Sequence, residues 1–186
     1  MKGLTISNEK WKVNMYLTHS IFVIRTATAA DAKQLTAWWN DGAVMAHAGF
    51  PNGLGTTEEK VISGLNEGRL VIEEAGRLIG ECSYRHVGEN TAEIGIKICE
   101  TDCQNRGVGR VVLSMLIGWL FDNGNTKIVL DTNLTNKRAQ HVYESLGFCK
   151  LRTNIDSWTD QLGEKQSSVD YELIDACFVD YRKGVC

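Results

Sequence analysis

The sequence predicts a mixed α/β domain, in which about four helices flank a largely antiparallel central sheet of about six or seven strands. Three observations lead to this prediction. With 186 residues, 43% of them hydrophobic, and a single proline, the chain can bury the core of one compact domain. The spacing of apolar residues alternates between strand and helix periods. The elements follow the order β-α-α-β-β-β-α-β-α-β-β, which is typical of such domains.

Four strands and two helices are predicted in the first half of the chain. The first helix begins at Thr28 or near Asp31, and the second at Thr56 or Thr57, since threonine and aspartate favour helix N-termini. Ala75-Gly76-Arg77 is typical of a hairpin turn between two apolar runs. The predicted strands lie at residues 21–25, 70–74, 78–84 and 91–98, and a glycine-rich loop lies at residues 47–55.

Two helices and three strands are predicted in the second half. The helix after Gly107 has apolar residues around most of its circumference, which predicts that it is mostly buried. Asn136 caps the other helix, which ends at Gly147. The strands lie at residues 127–133, 148–153 and 169–174, and a polar loop at residues 157–168 joins the last two.

Composition argues against several classes of protein. A net charge of −3 without charge blocks argues against a nucleic-acid partner. The longest apolar run, residues 111–121, is too short to cross a bilayer, so no membrane partner is predicted and we expect a soluble, cytoplasmic protein. Six cysteines without CxxC pairs or histidine-rich spacing predict neither a metal site nor disulfides. Residues 1–15 lack patterning and are read as an N-terminal extension, a candidate for disorder, before a single domain at residues 16–186.

The turn from Gln104 to Arg110 is the strongest candidate for a ligand site. Its Q-x-x-G-x-G spacing places Gly107 and Gly109 at the start of a helix, where backbone N–H groups lack intrahelical partners and carry partial positive charge. Such a turn can bind phosphate. A dinucleotide fingerprint would need glycine at position 112, which is Val112, and the chain has no Gly-Lys-Ser/Thr ending of a P-loop.

This turn, followed by Asn136-x-x-Ala139-x-x-x-Tyr143-x-x-x-Gly147-Phe148, resembles the GNAT superfamily of acetyl-CoA-dependent N-acyltransferases. The likeness extends from about residue 21 to residue 173. Glu93-Ile94-Gly95-Ile96, Trp38-Trp39-Asn40-Asp41 and Tyr171-Glu172-Leu173 look like the bacterial branch that contains ribosomal-protein and polyamine acetyltransferases. The resemblance implies that acetyl-CoA donates an acetyl group to a primary amine by direct attack in a ternary complex, without a metal.

The resemblance also implies how coenzyme A is held. Backbone amides of the turn would bind the pyrophosphate, Arg106 and Arg110 would add charge, and Asn136 would reach the cofactor from its helix cap. The strand edge near Ile96 would pair with the pantetheine arm as an added strand does. The expected cofactor contacts are Ile96, Lys97, Ile98, Gln104, Asn105, Arg106, Gly107, Val108, Gly109, Arg110 and Asn136.

Tyr143 and Glu93 are the candidate catalytic residues. Tyr143 lies nearly two helical turns after Asn136, on the same side of the helix, and the resemblance implies that its phenol returns a proton to the leaving thiolate. Glu93 projects from the more polar face of its strand and is the candidate base, directly or through water. A packed core tyrosine and an ordinary paired carboxylate are the structural alternatives, and His47 is a rival base.

The acceptor is expected to be an amine of a small molecule or a peptide. Loops provide its candidate contacts, because irregular segments commonly line binding clefts. The residues leave open protein N-termini, ribosomal proteins, polyamines and aminoglycosides, and equally a monomer or a homodimer. A non-catalytic domain that senses acyl-CoA is the alternative to an enzyme. The candidate acceptor contacts are Trp39, His47, Phe50, Trp158 and Asp160.

Overall fold

The computed structural model describes residues 14–183, which form one eight-stranded sheet in the order β1-β2-β3-β4-β5-β6-β8-β7. All neighbouring strands are antiparallel except β5 and β6, which are parallel. The largely antiparallel sheet is confirmed, and it has one strand more than the upper predicted number. The strands are β1 Tyr16–His19, β2 Phe22–Thr26, β3 Arg69–Glu74, β4 Arg77–Gly88, β5 Thr91–Ile98, β6 Lys127–Asn133, β7 Cys149–Thr159 and β8 Lys165–Ile174.

Five α-helices lie within the described residues, one more than predicted. The side chains of Thr57 and Asn136 accept hydrogen bonds from backbone N–H groups of the first helical turn, so both predicted N-caps are present. The additional helix has only four residues and is capped by Asp41, which leaves too short a pattern to recognise in the sequence. The helices are α1 Ala32–Asn40, α2 Gly42–Met45, α3 Glu58–Ser63, α4 Val108–Asp122 and α5 Lys137–Ser145.

The two faces of the sheet carry separate apolar clusters. On one face, α4 and α5 cover alternate residues of the central strands, among them Ile72 and Ile94. On the other face, α1 and α3 pack around Val71. Because α4 is apolar on most sides, it is buried as predicted, and each fully buried leucine in it contributes about 1.5–3 kcal/mol to folding.

The sheet opens between its two parallel strands. β5 and β6 pair only from Thr91 opposite Lys127 to Glu93 opposite Val129, and beyond these residues the strands separate. The edge of β5 that follows Glu93 therefore has no strand beside it. This opening determines where a ligand can enter the middle of the sheet.

Besides the additional strand and helix, the structure differs from the sequence-based predictions in the polar loop and at Met15. The polar loop predicted at residues 157–168 is wrong, since β7 and β8 extend into it and only residues 160–164 connect them. Residues 1–13, most of the predicted extension, lie outside the described residues, but Met15 is buried in the core and exchanges hydrogen bonds with Thr26. Within residues 14–183, no helix has both the length and the hydropathy that a membrane span requires.

Candidate active site

A cavity of about 720 Å³ lies where β5 and β6 separate. One wall is formed by residues 95–98 of β5 and the opposite wall by residues 131–133 of β6. The N-terminal turn of α4 and one side of α5 complete the cavity. His47 reaches it from the sheet face that α1 and α3 cover, and Trp158 reaches it from β7. All the predicted cofactor contacts except Arg106 line this one space.

The free edge of β5 faces the cavity with its backbone. The carbonyl oxygen of Ile98 accepts a hydrogen bond from Gln104 Nε2 at 2.8 Å, so it points away from β4. In an antiparallel ladder, alternate residues turn their N–H and C=O groups to the same edge, which places those of Ile96 beside the cavity as well. The Lys97 ammonium instead contacts buried Glu81, with Nζ 3.0 Å from Oε1. Since the Ile98 carbonyl already accepts from Gln104, an extended ligand arm can pair with the backbone groups of Ile96 and with the N–H group of Ile98.

The turn before α4 exposes a run of backbone N–H groups. Gly107 has a φ of 82° and Asn105 a φ of 58°, so the chain passes through the left-handed region twice within three residues. Among the described residues, the N–H groups of residues 105–107 donate to no backbone carbonyl, and α4 begins at Val108. This arrangement provides donors and partial positive charge for an anion.

The arginine side chains around this turn differ in whether a neighbouring carboxylate compensates their positive charge. Arg106 is paired with Glu74 through contacts of 3.1 and 3.2 Å, which compensates its charge. Arg110 lies over the Tyr181 ring, and its buried Nε has no hydrogen-bond partner among the described residues. Arg138 donates to Gln104 Oε1 at 2.7 Å and lines the cavity, although the sequence did not single it out. Arg138 lies two residues after the Asn136 cap, and this spacing is the sequence feature from which its place at the cavity could have been predicted.

Tyr143 is buried and faces the cavity. Its ring makes edge contacts with Phe148 and Tyr171, with centroids 5.9 Å apart in each case, and its hydroxyl has no hydrogen-bond partner among the described residues. Burial raises the pKa of Tyr143 to about 12, and the negative charge of Asp131 adds to this effect. The phenol is therefore protonated at neutral pH and can donate a proton into the cavity.

Glu93 lies outside the cavity lining. Arg85, opposite it on β4, places Nη2 2.8 Å from both carboxylate oxygens. Asp131 on β6 does line the cavity, and the sequence reading did not propose it. The Asp131 side chain is exposed, but partial desolvation at the cavity raises its pKa, and the charges of Glu93 and Asp170 raise it further. The cavity thus contains a carboxylate, but a different one from the sequence-based candidate.

Two of the five candidate acceptor contacts line the cavity, namely His47 and Trp158. The Trp158 ring packs against Gly49, where an added Cβ would lie within 2.4 Å of the ring. The other three lie elsewhere: Trp39 Nε1 donates to Glu81 at 3.0 Å, Phe50 is partly exposed, and Asp160 holds the β7–β8 turn by accepting from its backbone. That turn contacts residues 49–53, so both segments form the side of the cavity away from α4.

A family model described as an acetyltransferase (GNAT) domain matches residues 22–149, more than half of the chain. The chain belongs to the GNAT acetyltransferase family. It is therefore an N-acetyltransferase that uses acetyl-CoA as the acyl donor, as the resemblance implied.

Three relatives illustrate the range of this family. L-amino acid N-acyltransferase MnaT from Escherichia coli (strain K12) is 29% identical over 139 residues, which cover 67% of this chain and 74% of the relative. The structure of spermidine N-acetyltransferase from Vibrio cholerae, in complex with CoA and spermine, has a TM-score of 0.75 at 20% identity over 84% of this chain and 97% of that chain. Ribosomal-protein-alanine N-acetyltransferase from Brucella melitensis has a TM-score of 0.69 at 22% identity over 81% and 98%. The two structures show that the acetyltransferase shares their fold.

Proposed function

We propose that this acetyltransferase transfers acetyl from acetyl-CoA to a primary amine of a small molecule or peptide, by direct attack in a ternary complex. One observation supports this most strongly: the free edge of β5, the N–H groups before α4 and the Tyr143 hydroxyl all face one cavity. Acetyl-CoA held along that edge would have its phosphates at α4 and its thioester sulfur near α5. The amine would approach from the side of His47 and Trp158.

In this proposal, binding of the donor depends mainly on backbone groups. The N–H groups of Asn105 and of residues 107–109 hold the pyrophosphate, and Arg110 and Arg138 add positive charge. Ile96 and Ile98 pair with the pantetheine arm as a neighbouring strand would. An N–H group on the same edge would also stabilise the oxygen of the thioester as negative charge develops on it. Asn136 lines the cavity while its Oδ1 caps α5, so its amide nitrogen remains available to the cofactor.

Tyr143 would act as the general acid. As the amine attacks the carbonyl carbon, the C–S bond breaks, and a thiolate leaves unless it receives a proton. The phenol is protonated at neutral pH, lies on the cavity wall and has no competing hydrogen-bond partner among the described residues. Proton transfer from a positioned acid of this kind contributes about 10²-fold or more to the rate.

The amine must be deprotonated before it attacks. At pH 7 this costs about 1 kcal/mol for an α-amine with a pKa near 8, and about 4 to 5 kcal/mol for a lysine-like amine with a pKa near 10.4. Glu93 remains a candidate base, but its pairing with Arg85 and its place outside the cavity lining require it to act through water. A carboxylate within the cavity would be a more direct proton acceptor.

The proposed function is tested by mixing the purified chain with acetyl-CoA and a panel of amines and measuring release of free thiol. The panel should contain amino acids, polyamines, an aminoglycoside and peptides with free N-termini. We expect thiol release with at least one class and a higher melting temperature in the presence of acetyl-CoA. A raised melting temperature without thiol release from any amine would contradict the proposed transfer and would indicate a binding domain.

A further inference from the structure

We propose that Asp131 binds the ammonium group of the acceptor and takes its proton. This assignment rests on the proposed function, because it names the residue that acts on the amine side of the same cavity. Asp131 would be a catalytic residue in contact with the acceptor. Glu93 would influence the reaction only through its charge.

The position of Asp131 follows from the separation of the two parallel strands. Val129 is the last residue of β6 that pairs with β5, opposite Glu93. Asp131 lies two residues farther on, so its side chain is on the same face of the sheet as that of Glu93, at the point where the cavity begins. An amine that enters the opening from this face meets Asp131 before it reaches the edge of β5.

Asp131 differs from the other carboxylates on this face in having no counterion. Glu93 is paired with Arg85, Asp170 with Arg152 and Glu172 with Lys127, at distances of 2.8, 2.9 and 3.3 Å. Within residues 14–183, no hydrogen bond or ion pair joins the Asp131 side chain to another side chain. Its negative charge is therefore available to a cation from outside the protein.

Tyr143 provides a second, independent observation at the same place. It is only 6% exposed, its hydroxyl has no hydrogen-bond partner among the described residues, and it faces the cavity that Asp131 lines. The fully enclosed side-chain atoms without a partner in the described residues are Arg110 Nε and Asn125 Oδ1, so the Tyr143 hydroxyl is accessible from the cavity and can donate to a ligand there. Asp131 thus offers a proton acceptor and Tyr143 a proton donor to ligands in the same cavity. The attack of an amine on a thioester requires both.

The charged groups around Asp131 favour its role as a proton acceptor. Partial desolvation at the cavity raises its pKa first, although the side chain is exposed, and Glu93 from β5 and Asp170 from β8 raise it further, while Arg85 from β4 lowers it. The Tyr143 phenol from α5 is close enough for the charge of Asp131 to raise its pKa. A carboxylate with a raised pKa accepts a proton more readily near neutral pH, and the surrounding negative charge attracts an ammonium ion.

The proton balance of the step is complete. Asp131 takes one proton from the ammonium ion and later releases it to solvent. The neutral amine nitrogen forms a bond to the carbonyl carbon, the C–S bond breaks, and the Tyr143 hydroxyl gives its proton to the sulfur. After the attack, the nitrogen loses a second proton, which passes to the Tyr143 oxygen and restores the phenol. The products are the acetylated amine, coenzyme A and one proton in solution.

The test compares Asp131→Asn with Glu93→Gln on the best amine of the panel, measuring kcat/KM between pH 5 and pH 10. In the wild type, kcat/KM should fall on the acidic side as Asp131 becomes protonated. Asp131→Asn should remove that limb and lower kcat/KM about 10²-fold at neutral pH. Glu93→Gln removes a charge that raises the pKa of Asp131, so it should move the limb to lower pH without abolishing it.

A binding measurement without turnover complements the pH profiles. The affinity of the amine for the enzyme with bound coenzyme A should fall about tenfold or more in Asp131→Asn, because a charge-assisted contact is lost. Glu172→Gln is the matched control: it removes a carboxylate on the same face that is paired with Lys127, and it should behave like the wild type. Affinity for coenzyme A and the melting temperature should not change in any of these variants.

Each outcome bears on the assignment. If Glu93→Gln removes the acidic limb and Asp131→Asn only shifts it, Glu93 is the base and the assignment is overturned. Wild-type kinetics and amine affinity in Asp131→Asn would overturn it too, while amine acetylation itself would stand. If the wild type acetylates no amine in the panel, the proposed function fails first and the assignment fails with it.

Discussion

Alanine substitutions at Gly107 and Gly109 should separate the folding role of the turn at residues 104–110 from its proposed role in binding phosphate. Gly107 has a φ of 82°, and the left-handed region costs an L-residue about 1–2 kcal/mol. Gly109 is the second residue of α4, has no positive φ, and has nothing within 4 Å of an added Cβ. Alanine there should stabilise the fold by about 0.5–1 kcal/mol, because glycine is a poor helix residue.

These energies predict opposite shifts in melting temperature. For a domain of this size, 1 kcal/mol corresponds to roughly 2–4 °C, so Gly107→Ala should melt several degrees lower and Gly109→Ala slightly higher than the wild type. In the complex, the methyl group of Gly109→Ala would occupy space that the phosphate is proposed to fill. The loss of one charge-assisted hydrogen bond costs about 1.5–3 kcal/mol, which corresponds to about a 10- to 100-fold weaker Kd.

Thermal unfolding together with calorimetric titration of coenzyme A measures both quantities. The informative result is a Gly109→Ala protein that is at least as stable as the wild type and yet binds coenzyme A poorly. Wild-type affinity in this variant would mean that the phosphates do not contact the first turn of α4. A loss of stability instead would show that the glycine serves packing, contrary to the open space around it.

Three further predictions concern single side chains. Tyr143→Phe should keep the ring contacts, the melting temperature and the affinity for coenzyme A, but lower kcat for thiol release about 10²-fold, whereas unchanged turnover would leave Tyr143 only a packing role. Arg25 holds the pKa of buried Asp31 at about 2, below its unfolded value, so this pair contributes about 2 kcal/mol above pH 4 that is lost between about pH 4 and pH 2. Acid titration of Asp31→Asn should lack this loss of stability. Burial raises the pKa of Cys99 to about 12, so mass spectrometry after thiol alkylation at pH 8 should find exposed Cys149 modified and Cys99 unmodified until the protein is denatured.

The elements around the proposed donor half of the cavity could be predicted from the sequence because their determinants are local. The predicted bounds of β5 and β6, residues 91–98 and 127–133, match the structure, and the turn before α4 is recognised by two glycines. A strand, a turn and a helix N-terminus are each encoded by neighbouring residues, and their order along the chain fixes how they combine.

The polar edge of the sheet could not be predicted in the same way. β7 is exposed along almost its whole length, so it has no alternating apolar pattern, and its pairing with β8 relies on backbone hydrogen bonds. Its polar sequence therefore resembled a loop. Trp158 was predicted in that loop but lies near the end of this strand, and it lines the cavity all the same.

Glu93 and Asp131 show why the polar groups of the site were harder to place. Strand parity correctly put Glu93 on the polar face, but its pairing with Arg85 depends on the register of β4 against β5, which includes an irregularity between His86 and Gly88. Asp131 became important only because β5 and β6 separate just before it. Nothing in the sequence near Asp131 indicates that separation, which results from how whole elements pack.

The proposed donor and acceptor sides of the cavity differ in the chemistry of their walls, which should determine specificity. The acetyl donor is proposed to meet mostly backbone groups, which many sequences can supply, and relatives with 20–22% identity have the same fold. The acceptor would meet side chains from β6, β7 and the segment after α1, such as Asp131, Trp158 and His47. Substitutions among these side chains should therefore change which amine is used while the affinity for acetyl-CoA stays the same. The opening between β5 and β6 would make this independence possible, because in the proposed function each substrate approaches from its own face of the sheet.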